Sequence, residues 1–449
     1  MNTKQQYPFS RRSFLRTAAA VGAAAIFPYD LLAADKLESQ KPNIVLIMAD
    51  DVGCEPLGAY GGQRWKTPNI DALARGGMRF DYCFSMPVCH PTRICLMTGK
   101  YPFRLNSDWG TFPKAEEQHT IAHVLKRAGY TTAIAGKWQL ALLKKDTEQP
   151  ARLGFDAWSL FGWHEGARYH DPMIYENGHV RTDTKGKYGP ELYVDFLEKF
   201  IEQANRAQKP FFAYYSMALA HDVTDDIPTQ VPYVPGKDRW MNYGEMIESM
   251  DAMVGRLVAK LDQLGLRKNT IILFTGDNGT AQRSKLRHIK GRKYEYEEVY
   301  SIRNGKRVGG GKGTLLDIGT NVPLIANWPG HIAAGSVGDE LVDFSDWLPT
   351  LAEIGGAKVD HKIDGGSFAS TLFDSRQHVL RKHAFSESRN GKAWVRTKRY
   401  KLYNTGEFYD VWNDAMEEKP LKNISGSSAQ AHKLLEAALS RLKYPNTNN

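Results

Sequence analysis

Cys89 opens the run Cys89-His90-Pro91-Thr92-Arg93-Ile94-Cys95-Leu96-Met97-Thr98-Gly99-Lys100, where a thiol is followed two residues on by Pro and four on by Arg. A cysteine is a nucleophile only as its thiolate; buried in apolar surroundings it packs as an inert hydrophobe. The chain has four cysteines, Cys54, Cys83, Cys89 and Cys95, all within one short stretch. Their spacing fits no zinc site, since no Cys-x-x-Cys pair occurs among them, and it is not a disulfide scaffold. The other groups able to do chemistry come in short polar clusters. They are Asp50-Asp51, Gly136-Lys137-Trp138-Gln139, His221-Asp222, Gly276-Asp277-Asn278-Gly279 and Gly310-Gly311-Lys312-Gly313.

Predicted elements place most of these clusters in a common setting. Asn43 to Met48 is a continuous apolar run, which predicts a strand buried on both faces of a parallel sheet, ending at Asp50-Asp51. Thr131 to Ala135 and Pro210 to Tyr215 read as further strands, the first ending at Lys137 and Gln139 and the second near His221. Met246, Met250, Met253, Leu257, Leu261 and Leu264 recur at helical spacing, and this helix feeds the strand Thr270 to Phe274, which ends at Asp277-Asn278. Thr67-Pro68-Asn69 reads as a helix start with Thr67 as cap, and Thr92 to Met97 as the helix beside Cys89. Alternating strand and helix predicts an α/β fold with a large, mostly parallel sheet flanked by helices. In such sheets ligands bind at the carboxyl ends of the strands, so the clusters converge on one crevice. From about Arg376 short strands joined by Asn390-Gly391 and Thr405-Gly406 turns predict a small antiparallel sheet, followed by a helix carrying Leu434, Leu435, Leu439 and Leu442.

Cys-x-Pro-x-Arg followed by Leu-x-Thr-Gly resembles the signature of the type I sulfatases, in the alkaline phosphatase superfamily. The resemblance runs from about Lys41 to Leu421 and includes Trp394 to Leu402 and Phe408-Tyr409-Asp410 as landmarks. It implies that a maturase oxidises Cys89 to formylglycine, whose hydrate attacks sulfur with one hydroxyl and expels sulfate through the other. It implies one calcium ion held by Asp50, Asp51, Asp277, Asn278 and the formylglycine, a set of oxygen donors suited to a hard cation. Arg93 would hold the hydrated aldehyde, Lys137 and Lys312 the sulfate oxygens, and His221 would protonate the leaving alcohol.

Two positions depart from the family pattern. Gln139 stands where a His usually helps deprotonate the second hydroxyl, a step an amide cannot perform. His90 and His164 are the candidate replacements. Asp317-Ile318-Gly319-Thr320-Asn321-Val322-Pro323 replaces the Glu-Gly-Gly-x-Arg-Val-Pro pattern after Lys312. Thr92 stands where Ser is preferred, keeping the hydroxyl.

A loop containing Trp163, His164, Glu165 and Arg168 mixes rings with hydrogen-bonding groups and is the expected substrate-binding segment, suited to a sulfated sugar. Between Arg283 and Arg307 nine basic residues face three Glu, a basic loop that would attract polyanions. The expected partner is a sulfated glycan or small molecule, with no nucleic acid. The expected activity is sulfuric ester hydrolysis. The alternatives are an arylsulfatase, a phosphoester or phosphonate hydrolase of the same superfamily, for which Asp374 and His378 have the spacing of a second-metal pair, or a non-catalytic polyanion-binding relic.

The 449 residues, 42% hydrophobic and 24% charged, have the composition of a folded globular protein. Ser10-Arg11-Arg12-Ser13-Phe14-Leu15-Arg16 and the apolar run that follows read as a twin-arginine export signal over residues 1–34, to be engaged by the twin-arginine translocon. The expected division continues with a catalytic domain over 35–375 and a C-terminal subdomain over 376–449, in a periplasmic or extracellular protein.

Overall fold

Asn43–Ala49 is buried at every position, and its side chains alternate between two cores. Ile44, Leu46 and Met48 face one layer of helices, and Val45, Ile47 and Ala49 face the other. This is why the run is apolar throughout rather than at alternate residues. In the computed structural model, which describes residues 41–162, 165–222, 242–290, 293–373 and 381–444, this strand lies in the middle of a ten-stranded sheet.

Five parallel strands form its centre, in the order Thr270–Gly276, Asn43–Ala49, Phe211–Ser216, Thr131–Trp138, Ala157–Gly162. Short edge strands, mostly antiparallel, extend it: Leu324–Asn327, Met78–Phe80 and Ser336–Gly338 on one side, Ile174–Glu176 and His179–Val180 on the other. Helices Gly189–Arg206 and Tyr243–Gln263 cover one face, and Cys89–Thr98, Ile121–Arg127 and Trp347–Ile354 the other. The α/β architecture agrees with the alternation in the sequence.

A separate four-stranded antiparallel sheet, Ala384–Glu387, Ala393–Arg396, Tyr400–Tyr403 and Phe408–Asp410, follows with the helix Gly426–Leu442. Phe385, Val395, Leu402 and Leu435 belong to the same core as Ile44 and Leu46, so this sheet is packed onto the rest of the protein.

Two local expectations change. Thr67 precedes the helix Pro68–Arg75 without capping it: its hydroxyl accepts from Gly58 N at 3.0 Å and donates to Asp71 at 3.0 Å. The first helical amides, of Asn69 and Ile70, are taken instead by Asp251 at 3.1 and 2.9 Å, a carboxylate the long helix brings against them. The basic segment is not a loop but two hairpins, Arg283–Lys290 with Lys293–Glu298 and Tyr300–Arg303 with Lys306–Gly309. Backbone pairing outweighs the charge that suggested solvated coil. Part of that charge is also matched, by Lys285 with Asp222 at 3.3 Å and Arg307 with Glu298 at 2.6 Å.

The twin-arginine segment, Trp163, His164, Asp374 and His378 lie outside the described residues.

Candidate active site

Four neighbouring parallel strands deliver their carboxyl ends to one place. Asn43–Ala49 ends at Asp50-Asp51, Thr131–Trp138 carries Lys137, Phe211–Ser216 leads to His221, and Thr270–Gly276 ends at Asp277-Asn278. Gly136 is required just before Lys137: its φ is +107°, and a Cβ there would lie 2.0 Å from the Ser216 carbonyl oxygen. Asp51 is also left-handed, at φ 60°. That break in strand alternation lets consecutive carboxylates serve one crevice.

Cys89 is the first residue of the helix Cys89–Thr98, so its side chain meets the positive end of the helix. One ligand atom each from Asp50, Cys89 and Asp277 lie within 4.8 Å of one another. Thr92, fully buried, donates its hydroxyl to the carbonyls of Met86 and Val88 at 3.2 and 3.0 Å, a bond that Ser could also make. Burial pushes the Cys89 thiol up despite nearby Lys137 and Lys312. An unmodified Cys89 is therefore a poor thiolate nucleophile.

Three cations meet the acids. Arg93 donates to Asp277 Oδ2 from Nε at 3.1 Å and Nη2 at 2.7 Å, and to the Ser216 hydroxyl. Lys137 Nζ lies 2.6 Å from Asp50 Oδ2, and Lys312 Nζ 2.6 Å from Asp51 Oδ2. The Asn278 amide donates to Asp51 Oδ1 at 2.9 Å, and the Asp51 N–H to Asp277 Oδ1 at 3.2 Å.

The donor set fits a hard cation. Asp50 Oδ1 and Asn278 Oδ1 are buried with no hydrogen-bond partner among the described residues. Such acceptors are costly to leave unmade. Burial and the neighbouring Asp50 push Asp277 up to about 7, despite Arg93. Asp50 itself stays well below the usual range, because Lys137, His221, Arg93 and Lys312 outweigh the opposing effect of its burial. A divalent ion bound by oxygen would satisfy these orphaned acceptors and oppose the rise in Asp277.

His221 closes the crevice, its Nε2 3.8 Å from Asp51 Oδ2. Its Nδ1 lies 3.1 Å from Arg168 Nη1 and 2.9 Å from the Asp222 carbonyl oxygen. Arg168 can only donate, which requires a neutral ring with a bare Nδ1; the Asp222 carbonyl can only accept, which requires Nδ1–H, present in the charged ring and in the other neutral tautomer. Burial and Lys312 pull the His221 pKa down to about 4.

Other expected positions are placed as follows. Arg168 is 2% exposed, with its guanidinium against the Phe161 ring as well as His221, so it reaches the site from behind the imidazole. Glu165 accepts from the Lys144 amide at 2.9 Å. Gln139 is buried after the strand that carries Lys137, and its Oε1 has no hydrogen-bond partner among the described residues. His90 Nε2 donates to the Thr111 carbonyl at 2.8 Å, and its ring packs on Trp109. Asp317 forms ion pairs with Lys401, at 2.8 Å, and Arg396 of the C-terminal sheet.

Ser216, the last residue of the strand Phe211–Ser216, was given no role in the sequence; its place at the end of an apolar strand was the available signal.

Comparison with known proteins places these features in context. The family model described as Sulfatase matches residues 42–357, that described as N-sulphoglucosamine sulphohydrolase, C-terminal, matches 311–444, and a twin-arginine translocation pathway signal sequence matches 8–28. N-acetylgalactosamine-6-sulfatase of Rattus norvegicus is 30% identical over 424 residues, covering 86% of this chain and 76% of that protein. Arylsulfatase A of Homo sapiens is 30% identical over 420 residues, covering 83% and 76%. The crystal structure of Ps i-CgsB in complex with k-i-k-neocarrahexaose superposes with a TM-score of 0.69 at 25% identity, covering 90% of this chain and 92% of that one.

Proposed function

The chain belongs to the sulfatase family, and from that premise we propose that this sulfuric ester hydrolase uses calcium and a formylglycine at Cys89 to release sulfate from a sulfated carbohydrate. The observation that carries the reading is the convergence of Cys89, Asp50 and Asp277 within 4.8 Å, flanked by Arg93, Lys137 and Lys312. The family generally uses a formylglycine and a divalent metal. Asp50, Asp51, Asp277, Asn278 and residue 89 would hold one calcium ion. A hydrated aldehyde at residue 89 supplies the hydroxyl that attacks sulfur and a second hydroxyl whose loss of a proton expels sulfate.

The remaining work falls to ordinary side chains. Lys137 and Lys312 bind the sulfate oxygens where charge develops, preorganised by the carboxylates that hold them. Arg93, fixed by Asp277 and Ser216, orients residue 89. His221 protonates the leaving oxygen from Nε2. A bound sulfate ester brings negative charge beside Lys312, which offsets the cation holding His221 down and favours its charged form. Arg168 and Asp222 keep the ring in place in both protonation states. Gln139 orients a hydroxyl without taking its proton, so another group serves as base; His90 and His164 remain the candidates.

Retention of every sulfate-binding cation favours a working sulfatase over a binding relic. The relatives named N-acetylgalactosamine-6-sulfatase and the structure in complex with k-i-k-neocarrahexaose support a carbohydrate substrate. The protein is exported by the twin-arginine route, and we place it in the periplasm or outside the cell, with residues 1–34 as signal, 35–375 as catalytic domain and 376–449 as C-terminal subdomain. A cytoplasmic maturase would act before export, since that route carries folded proteins.

The test is peptide mass spectrometry of the segment containing Cys89 after co-expression with a maturase. A mass about 18 Da below that of unmodified Cys is expected, from CH₂SH becoming CHO. Full hydrolysis of an aryl sulfate by protein bearing an intact thiol would overturn the assignment.

A further inference from the structure

Around the first turn of the helix Cys89–Thr98, on another side from Cys89 and against the C-terminal sheet, lies a cavity of about 300 Å³ whose lining includes His90, Trp109, Ser388 and Arg389. Its volume is that of a small ligand pocket. His90 is the residue after Cys89, so the cavity begins one residue from the position where the reaction takes place.

The side chains in this cavity are held in a stack. His90 is fixed by its bond to the Thr111 carbonyl, and its ring packs on Trp109 with 5.1 Å between centroids. The Arg389 guanidinium carbon stands 4.7 Å from the Trp109 ring. Arg389 itself sits on the tight turn between Ala384–Glu387 and Ala393–Arg396, closed by Ser388 N to Lys392 O at 2.8 Å and by Gly391 at φ +83°. Backbone and ring therefore position a cation that is exposed and makes no hydrogen bond or ion pair with any described residue. A guanidinium stacked on an aromatic face keeps its N–H edge available for bidentate binding of an oxyanion.

Two carboxyl groups share the lining. Glu387 accepts from the Phe103 amide at 2.8 Å, and burial pushes it up to about 7, which reduces its charge near neutrality. Asp108 is exposed at the mouth.

We infer that this cavity is a sugar subsite beside the reacting sulfate, and that Arg389, braced on Trp109, binds a second sulfate of the substrate. The inference rests on the sulfatase reading and narrows it: the substrate is a multiply sulfated glycan rather than a singly charged aryl ester. The cavity accommodates the ring and Arg389 recognises its additional charge.

The experiment uses two matched pairs of sugars that differ by one sulfate: glucosamine 6-O-sulfate with glucosamine 2-N,6-O-disulfate, and a mono- with a disulfated neocarrabiose. Calorimetry on calcium-loaded Cys89→Ser protein measures binding without turnover. In at least one pair the disulfated sugar is expected to bind about tenfold more tightly, a difference of about 1.4 kcal/mol. Arg389→Ala should reduce that preference to within twofold and weaken its salt dependence, while kcat/KM of the matured Arg389→Ala enzyme on an aryl sulfate stays within twofold of wild type. Trp109→Phe, which keeps a ring under the guanidinium, should retain most of the preference. Absence of preference in both pairs, or a preference that survives Arg389→Ala, would overturn the subsite. Absence of sulfate release by matured wild type from the aryl sulfate and from all four sugars would count against the sulfatase reading instead, because the binding comparison does not depend on turnover.

Discussion

Replacing Lys401 with Met tests whether the C-terminal sheet holds the loop that presents Lys312. The Lys401 side chain is 0% exposed, and its Nζ lies 2.8 Å from Asp317 Oδ1, against the Glu417 carboxylate, and 3.2 Å from the Leu315 carbonyl. Trp394 Nε1 donates to the same carbonyl at 2.9 Å, and Arg396 pairs with Asp317. The segment immediately after Lys312 is thus fastened to the sheet at two residues, Leu315 and Asp317. In Lys401→Met, Asp317 keeps Arg396, but Glu417, with a side chain 5% exposed, keeps only the Tyr403 hydroxyl. Removing one partner of a buried ion pair costs about 3–5 kcal/mol, mostly through the charge left behind. The partial exposure of Asp317 favours the lower end of that range. Glu417→Gln added to Lys401→Met removes the stranded charge, so the double variant should be more stable than the single one. Urea denaturation of wild type, Lys401→Met, Glu417→Gln and the double variant measures stability. Hydrolysis of an aryl sulfate reports on the loop, and kcat/KM should fall in Lys401→Met at a temperature where it is folded. A single variant as stable as wild type, or a double variant whose loss equals the sum of both single losses, would refute the argument.

Three further outcomes are expected. Burial raises Glu387 from 4.5 to about 7, so the native state holds its proton more tightly than the unfolded chain; the stability this contributes is complete below pH 4.5 and lost as pH rises through about 7. Glu387→Gln should therefore gain on wild type by up to about 3 kcal/mol between pH 4.5 and pH 8, and a stability difference that is the same at both values would remove the basis for this. Asp277→Ala should stay folded but inactive; calcium should rescue chelated wild type and not the variant, and equal rescue would reject Asp277 as a ligand. If another base replaces the usual His, wild type should turn over without a burst and Gln139→His should alter the desulfation step less than tenfold, about 1.4 kcal/mol, whereas rapid-quench kinetics showing one equivalent of alcohol followed by a slow phase that Gln139→His accelerates would mean desulfation is impaired.

Much of this protein is written in local sequence. A strand buried on both faces must be apolar throughout, so Asn43 to Met48 announced itself, and the polar residues that end such a run mark the crevice. Cys89 with Pro91 and Arg93 carries its family in one turn of helix. The small C-terminal sheet followed from its turn residues, because an Asn-Gly turn is a local constraint. Pairings across long separations were not legible. Nothing near Thr67 indicates that Asp251 caps its helix, and charge alone made two hairpins resemble a loop. Arg168 read as a sugar ligand because its neighbours are aromatic, yet the fold sets it behind His221. Asp317 was visible only as a departure from a pattern; its ion pairs with Arg396 and Lys401 exist because the second sheet packs there. The sequence by itself determined which side chains could bind a cation and sulfate, since that depends on residue type and position along a strand. The tertiary structure decided which cation braces which acid and where Arg389 stands relative to Cys89, because those distances arise only when segments hundreds of residues apart are packed into one core.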